Sequence, residues 1–326
     1  GGSGDDVVGE LAIAPANSNV YAVGKTASAS IGIFNNTDAD GVDAFVARFN
    51  PSLTILQQVS FIGGTGGGED FATSVAIRAL PDDQYEVYIA GETASPDLAG
   101  VVDPGSADFT FGAGLEGFVA RFDSDLALLG STYYGGALND SVSAIAFSGD
   151  IPDSVFISGT TASTDIPGIV PSESSQDSFG GGASDAFIAR LSADLAGITA
   201  ASYLGGGGDD SAADLVVDTL VYVAGNTSSD DFPGTAGNFQ PTRVSGTVDA
   251  FVSSADALLT SPVNSTYIGG NGDEDVRSIA NTGADGSLVA IDGRETAPQE
   301  ATRDMFLRDG KPVPEMSLTG PLASGV

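Results

Sequence analysis

The chain repeats itself five times, and that periodicity constrains its fold more than any other feature. Four segments align on sight: "VYAVGKT" from Val20, "VYIAGET" from Val87, "VFISGTT" from Val155 and "VYVAGNT" from Val221, with a worn fifth copy, "LVAIDGRET", from Leu288. A second motif follows each one: "DAFVARF" from Asp43, "EGFVARF" from Glu116, "DAFIARL" from Asp185, "DAFVSS" from Asp249 and "DMFLRD" from Asp304. A third closes the unit, as "VSFIGG" from Val59, "STYYGG" from Ser131, "ASYLGG" from Ala201, "STYIGG" from Ser265 and a degraded "MSLTGP" from Met316. After the paired glycines come acidic residues, as in "GGALND" from Gly135 and "GGGGDD" from Gly205, and the opening "GGSGDD" at Gly1 is the same element.

Within a unit, short β-branched and aromatic runs alternate with Gly, Asp, Asn and Ser clusters, the pattern of strands joined by tight turns. In the third unit the strands read "SAIAFS", "SVFISGT", "DAFIARL" and "ITAASYLGG". The second is apolar at consecutive positions, Val155, Phe156 and Ile157, as in a strand covered on both faces. Four such strands make a propeller blade, and blades stacked around an axis supply the double cover. The expected fold is therefore an all-β propeller of five blades of four antiparallel strands, in one domain over 1–326, with blades at about 1–62, 63–134, 135–204, 205–268 and 269–326. A portion of a larger propeller or array is the alternative.

Composition narrows the function. The chain has 326 residues, 41% of them hydrophobic, so it can bury a large core despite 45 glycines and a net charge of -33. That charge repels nucleic acid and anionic lipid. With no Cys and no His, thiol and imidazole chemistry and the usual zinc or copper sites are excluded, leaving oxygen-ligand metals such as calcium. No apolar run reaches the ~18 residues of a membrane span.

The glycine-acidic turns are explained by glycines taking positive φ and by Asp side chains capping turn amides. A phosphate loop would need a following helix and a lysine. The long inserts between the second and third strands keep an aromatic, Phe34, Phe111, Phe179 or Phe239, that is expected to pin the insert to its own blade. One stretch imitates the start of a calcium loop. "NTDADGVD" places oxygen ligands at Asn36, Asp38, Asp40 and Asp43, although position twelve of such a loop would be Ala47.

The ordered set "VYVAGNTSSDDFPGTAGNFQ", "VDAFV" and "NSTYIGGNGDED" resembles the SBBP β-propeller repeat of bacterial and archaeal secreted proteins, and the likeness recurs through all five units. The resemblance implies an extracellular or cell-surface location, with lipid anchoring through a residue ahead of Gly1 as one route. It also implies contacts with other proteins or subunits of a surface assembly.

For catalysis only carboxylates stand out, and no unit breaks the repeat with an unmatched acid or base. The chain lacks Trp, and its eight Tyr fall in or beside the second and fourth strands, which leaves no platform for a sugar ring. The expectation is a non-enzymatic structural or adhesive module that requires no cofactor, calcium apart. A carbohydrate-binding lectin or a glycoside hydrolase working through an Asp/Glu pair is the alternative.

Overall fold

The computed structural model describes residues 2–35, 41–65, 67–102, 105–148, 151, 153–244, 247–281, 288–295, 305–308 and 311–312. Among these there is no helix. The strands form five four-stranded antiparallel sheets. The first contains β1 (Asp6–Ile13), β2 (Val20–Thr26), β5 (Asp43–Phe49) and β6 (Leu56–Ile62), with a two-stranded ribbon of β3 (Ser30–Ile31) and β4 (Phe34–Asn35) in its insert. The second holds β7 (Asp70–Ala79), β8 (Tyr85–Thr93), β9 (Glu116–Phe122) and β10 (Leu128–Tyr134). The third holds β11 (Asp140–Phe147), β12 (Ser154–Thr161), β13 (Asp185–Ser192) and β14 (Ile198–Leu204). The fourth holds β15 (Asp210–Val217), β16 (Val221–Thr227), β17 (Asp249–Ala255) and β18 (Asn264–Ile268). The fifth is built from β19 (Glu274–Asn281), β20 (Leu288–Glu295), β21 (Met305–Arg308) and β22 (Lys311–Pro312). Each sheet is a meander in chain order, as propeller blades are.

The first strands lie innermost. β1 packs beside β7, β7 beside β11, β11 beside β15 and β15 beside β19, whereas the fourth strands scarcely meet the next sheet. The core consequently sits between sheets. Tyr21, Val23 and Val46 of the first sheet interlock with Val75, Ile89 and Phe118 of the second, and the second/third and third/fourth junctions repeat the arrangement. β12 is buried along nearly its whole length, as its unbroken apolar run predicts.

An innermost strand is also a sheet edge, and its inward amides need partners. Every first strand carries a bulge at the same place, after Val8, Ala72, Val142, Ala212 and Val276. The bulge turns one side chain toward the next sheet: Glu10 Oε2 accepts from Val75 N at 2.8 Å, Ser74 Oγ from Ile145 N at 3.2 Å and Asp214 Oδ2 from Ile279 N at 3.0 Å. Ala144 has no oxygen to offer, and Asp214 covers its own sheet's amide at Leu215 with Oδ1, at 2.7 Å.

Two further devices join consecutive sheets. The third-strand arginine of the first and third sheets reaches the hairpin turn of the following sheet: Arg48 donates to the Ser124 carbonyl and Arg190 to that of Ala257, at 3.0 Å for the latter. At the same position the fourth sheet has Ser254. In each of those hairpin turns a leucine adopts a left-handed backbone, at Leu53, Leu126, Leu195 and Leu259. Leu126, Leu195 and Leu259 plug the junction with the preceding sheet and are 2%, 2% and 0% exposed. Leu53, in the first sheet, is 63% exposed, as are Val8, Leu11 and Ile13 on β1 to similar degrees.

Candidate functional site

The residues that converge in this molecule are carboxylates, and they do so at one place in every sheet junction. The acid that opens each third strand, Asp43, Glu116, Asp185 or Asp249, is buried to within 1%. It meets the acid that opens the next first strand, Asp70, Asp140, Asp210 or Glu274. Both lie on the first glycine of the "GG" pair: a Cβ at Gly205 would stand 2.6 Å from Asp185 Oδ1 and 2.8 Å from Asp210 Oδ2, and Gly63, Gly135 and Gly269 are packed in the same way.

This corrects the expected role of the first glycine of each pair; positive φ occurs further along one of these turns, at Gly67. None of Gly63, Gly135, Gly205 or Gly269 has positive φ. The position is glycine because two carboxyl groups occupy the space where a side chain would begin. The second glycine is likewise crowded, at Gly136 by Ser163 and Asp165 and at Gly206 by Ser229 and Asp231. The capping expectation holds: Gly136 N donates to Asp140 Oδ2 at 2.7 Å, Gly206 N to Asp210 Oδ2 at 2.8 Å and Gly270 N to Glu274 Oε1 at 3.0 Å.

The Thr-x-Ser that ends the second strand of the first four sheets completes the holder. Thr161 Oγ1 donates to Asp140 Oδ1 and Ser163 Oγ to Oδ2 at 2.8 Å; Thr93 and Ser95 do the same for Asp70, and Thr26 and Ser28 both donate to Asp6 Oδ1. A strand-end Thr and a Ser two residues on project to one side, which is why this spacing recurs beside Asp6, Asp70, Asp140 and Asp210. The pattern stood in the sequence as "KTAS", "ETAS", "TTAS" and "NTSS". Without the fold nothing connected it to an acid ~20 residues upstream.

Burial shapes the electrostatics. Desolvation pushes Asp70 up to about 6, against the pull of Thr93 and Ser95, with the neighbouring Asp43 adding to the rise. Desolvation likewise raises Asp140 and Asp210 against their Thr and Ser donors. At the fourth junction a cation is built in: Arg243 Nε lies 3.6 Å from Asp249 Oδ1.

Of the expected calcium ligands, Asn36, Asp38 and Asp40 lie outside the described residues. Asp43 opens β5 as one half of the first carboxylate pair. Among the described residues no three acidic groups gather as a metal site. The loop aromatics behave as expected in three copies: Phe111 meets Tyr133 edge-on at 5.5 Å, Phe179 meets Tyr203 at 6.0 Å, and Phe34 packs on its own sheet's cluster. Phe239 departs from the pattern and is 55% exposed, because Phe232 already fills the space between Phe251 and Tyr267.

Fold and junctions together define a β-propeller whose blades are locked by buried acid pairs. Comparison with known proteins adds a second likeness, confined to the last quarter. Residues 244–326 match the gamma-glutamyltranspeptidase family model. Over 79 residues the chain is 46% identical to the glutathione hydrolase proenzyme of Escherichia coli (strain K12), a stretch that is 24% of this chain and 13% of that protein. Among solved structures, the Pyrococcus horikoshii acylaminoacyl peptidase is similar over 95% of this chain and 39% of its own, at 10% identity and a TM-score of 0.45. The β-propeller domain of the Trilobed protease from Pyrococcus furiosus is similar over 94% of this chain and 69% of its own, at 8% identity and a TM-score of 0.42.

The match over 244–326 overturns the expectation of a non-enzymatic adhesive module. The reason it escaped the repeat reading is specific. "LVAIDGRET", "DMFLRD" and "MSLTGP" resemble the repeat motifs just enough to read as an eroded fifth copy. A signal was nevertheless present. Of the eleven Lys and Arg in the chain, Arg294, Arg303, Arg308 and Lys311 fall within eighteen residues of one another.

Proposed function

We propose that this chain belongs to a γ-glutamyl-processing hydrolase, in which a β-propeller precedes a segment of the glutathione hydrolase type. The single observation that supports the reading is the 46% identity over 79 residues at the C-terminal end. The substrate class would be γ-glutamyl amides such as glutathione. A γ-glutamyl donor carries a free α-carboxylate, and guanidinium groups bind carboxylates through paired hydrogen bonds. The run from Arg294 to Lys311 brings that chemistry into a chain that is otherwise overwhelmingly acidic.

The test is an assay of the intact protein with L-γ-glutamyl-p-nitroanilide, following release of p-nitroaniline. Turnover is expected, with KM rising at least tenfold when Arg294 and Arg303 are both replaced by Gln, roughly the loss of one charge-assisted hydrogen bond. No release above background from a folded preparation refutes the reading.

A further inference from the structure

The four buried acid pairs are alike in position but not in how their charge is met. At the fourth junction Arg243 stands beside Asp249. At the second/third and third/fourth junctions no Lys or Arg among the described residues forms an ion pair with either acid. Two carboxylates cannot both stay ionised in such a place, because burial penalises each charge and each raises the cost of the other.

The hydrogen bonds separate the two members. Asp140 receives Thr161 Oγ1 on one oxygen and Ser163 Oγ and Gly136 N on the other. Asp210 receives Ser229 Oγ at 2.7 Å and Gly206 N at 2.8 Å, both on Oδ2, and its Oδ1 has no hydrogen-bond partner among the described residues. These donors suit a carboxylate. The third-strand acid is different. Among the described residues Glu116 accepts only Gly112 N, at 2.9 Å on Oε2, and its Oε1 has no hydrogen-bond partner; Asp185 accepts Gly180 N at 2.6 Å on Oδ2, and its Oδ1 has none. Both bare oxygens belong to side chains at most 1% exposed, and both lie against the shared glycine, where an oxygen of the neighbouring Asp lies as well.

We infer that Glu116 and Asp185 are held as neutral carboxylic acids, each donating its proton to Asp140 or Asp210, so that two sheet junctions are sealed by protons and loosen when these are withdrawn. The proton bridges two oxygens that would otherwise repel and leaves a single net charge per pair.

The electrostatic surroundings agree. Desolvation pushes Glu116 up to about 8 despite Gly112 N, with Asp140, Asp108 and Asp165 adding to the rise. Desolvation pushes Asp185 up to about 7 despite Gly180 N and Gly181 N, with Asp210 adding to it. Tyr133 and Tyr203 also face these acids, and their own hydroxyls are raised. An acid whose folded value lies above its unfolded one binds a proton only when folded through the interval between the two. Stability conferred by these groups is therefore greatest below about pH 4 and is lost as pH rises toward 7–8.

The test compares thermal unfolding of the wild type and the double variant Glu116→Gln, Asp185→Asn between about pH 5 and pH 8.5. An amide keeps the shape and the donated hydrogen bond but has no proton to lose. The wild type is expected to lose roughly 5 °C or more of Tm relative to the variant across that range. Parallel pH profiles overturn the inference. So does calcium, at millimolar concentration and pH 8.5, restoring the wild-type Tm to its acid value, since the pairs would then be cation sites. Should the variant fail to fold, side-chain carboxyl titration of the wild type by ¹³C NMR decides: midpoints above about 6 for Glu116 and Asp185 are expected, and midpoints near 4 overturn the inference.

Discussion

Ser60 Oγ in the first sheet donates to the backbone carbonyl of Leu126, 2.5 Å away in the second sheet's hairpin turn. The hydroxyl holds that turn against the preceding sheet while the leucine side chain, 2% exposed, enters the core between the two. Leu126 does this with φ at 61°, a conformation that costs a residue with a side chain about 1–2 kcal/mol.

Replacing Leu126 with Gly removes that strain but empties a buried site, for which large-to-small changes cost about 2–5 kcal/mol. The net expectation is a loss of roughly 2 kcal/mol, read from urea denaturation. At Leu53 the strain is the same, with φ at 57°, but the side chain is 63% exposed. Leu53→Gly is expected to be neutral or to stabilise by up to about 1 kcal/mol. Equal losses at the two sites would show that burial against the preceding sheet is not what holds the turn.

These leucines mark where the sequence stops being legible. Strands and their order follow from the periodicity, because a run such as Val155, Phe156, Ile157 between turn residues has few other ways to bury itself. The left-handed leucines carry no local signal, since Leu is a poor choice for positive φ and is stabilised only by the neighbouring sheet. The acid pairs are an intermediate case. Both members and the paired glycines repeat visibly, but the partner of Glu116 lies in the next unit, and only the three-dimensional junction shows that Gly135 is small to make room for two carboxyls. The C-terminal quarter was obscured differently: "DMFLRD" resembles "DAFVARF" and forms the third strand of the fifth sheet, so the repeat reading covered it.

The glycine reading gives its own prediction. Gly135→Ala would drive a methyl group into Asp140 Oδ2, 2.5 Å away, and into Glu116 Oε1. Neither carboxyl can retreat, because Asp140 is held by three donors and both are buried. Overpacking of this kind costs about 1–3 kcal/mol, and displacement of hydrogen-bonded carboxyls places the loss at the upper end. Gly130→Ala, where a Cβ would meet nothing within 4 Å, is the control and should leave the urea midpoint unchanged.

At the opposite ends of the same strands a different acid behaves oppositely to Glu116. Glu86 accepts from Arg121 at 2.5 Å and from Tyr88 at 2.9 Å, with Arg78 at 3.4 Å. Desolvation would raise it, but the bonds from Arg121 and Tyr88 and the two guanidinium charges prevail, and it sits below the usual carboxylate range. Its contribution is thus present above the unfolded value near 4.3 and is lost as pH falls through the lower folded one. Arg121→Met is expected to cost about 2–4 kcal/mol at pH 7, by leaving Glu86 buried with a weaker partner. The deficit should shrink below about pH 4, measured as the difference in unfolding free energy between variant and wild type.

The fourth junction separates the two ways of meeting a buried charge. Asp249 is 0% exposed, and desolvation still raises it although Arg243 pulls the other way. Arg243 also donates to the Ser228 carbonyl at 2.5 Å, which fixes the guanidinium to the fourth sheet. Arg243→Met removes the cation and leaves Asp249 beside Glu274, the situation that Glu116 and Asp140 already occupy. Loss of one partner from a buried pair costs about 3–5 kcal/mol if the remaining charge cannot be neutralised. Here it can be, by taking up a proton, which raises Asp249 further. Because the folded variant then binds a proton that the unfolded chain does not, its stability falls as pH rises above about 4. The expected result is a small deficit at pH 5 that grows to the full ~3 kcal/mol by pH 8.5, and a deficit independent of pH would mean that Arg243 acts through its hydrogen bond to Ser228 alone.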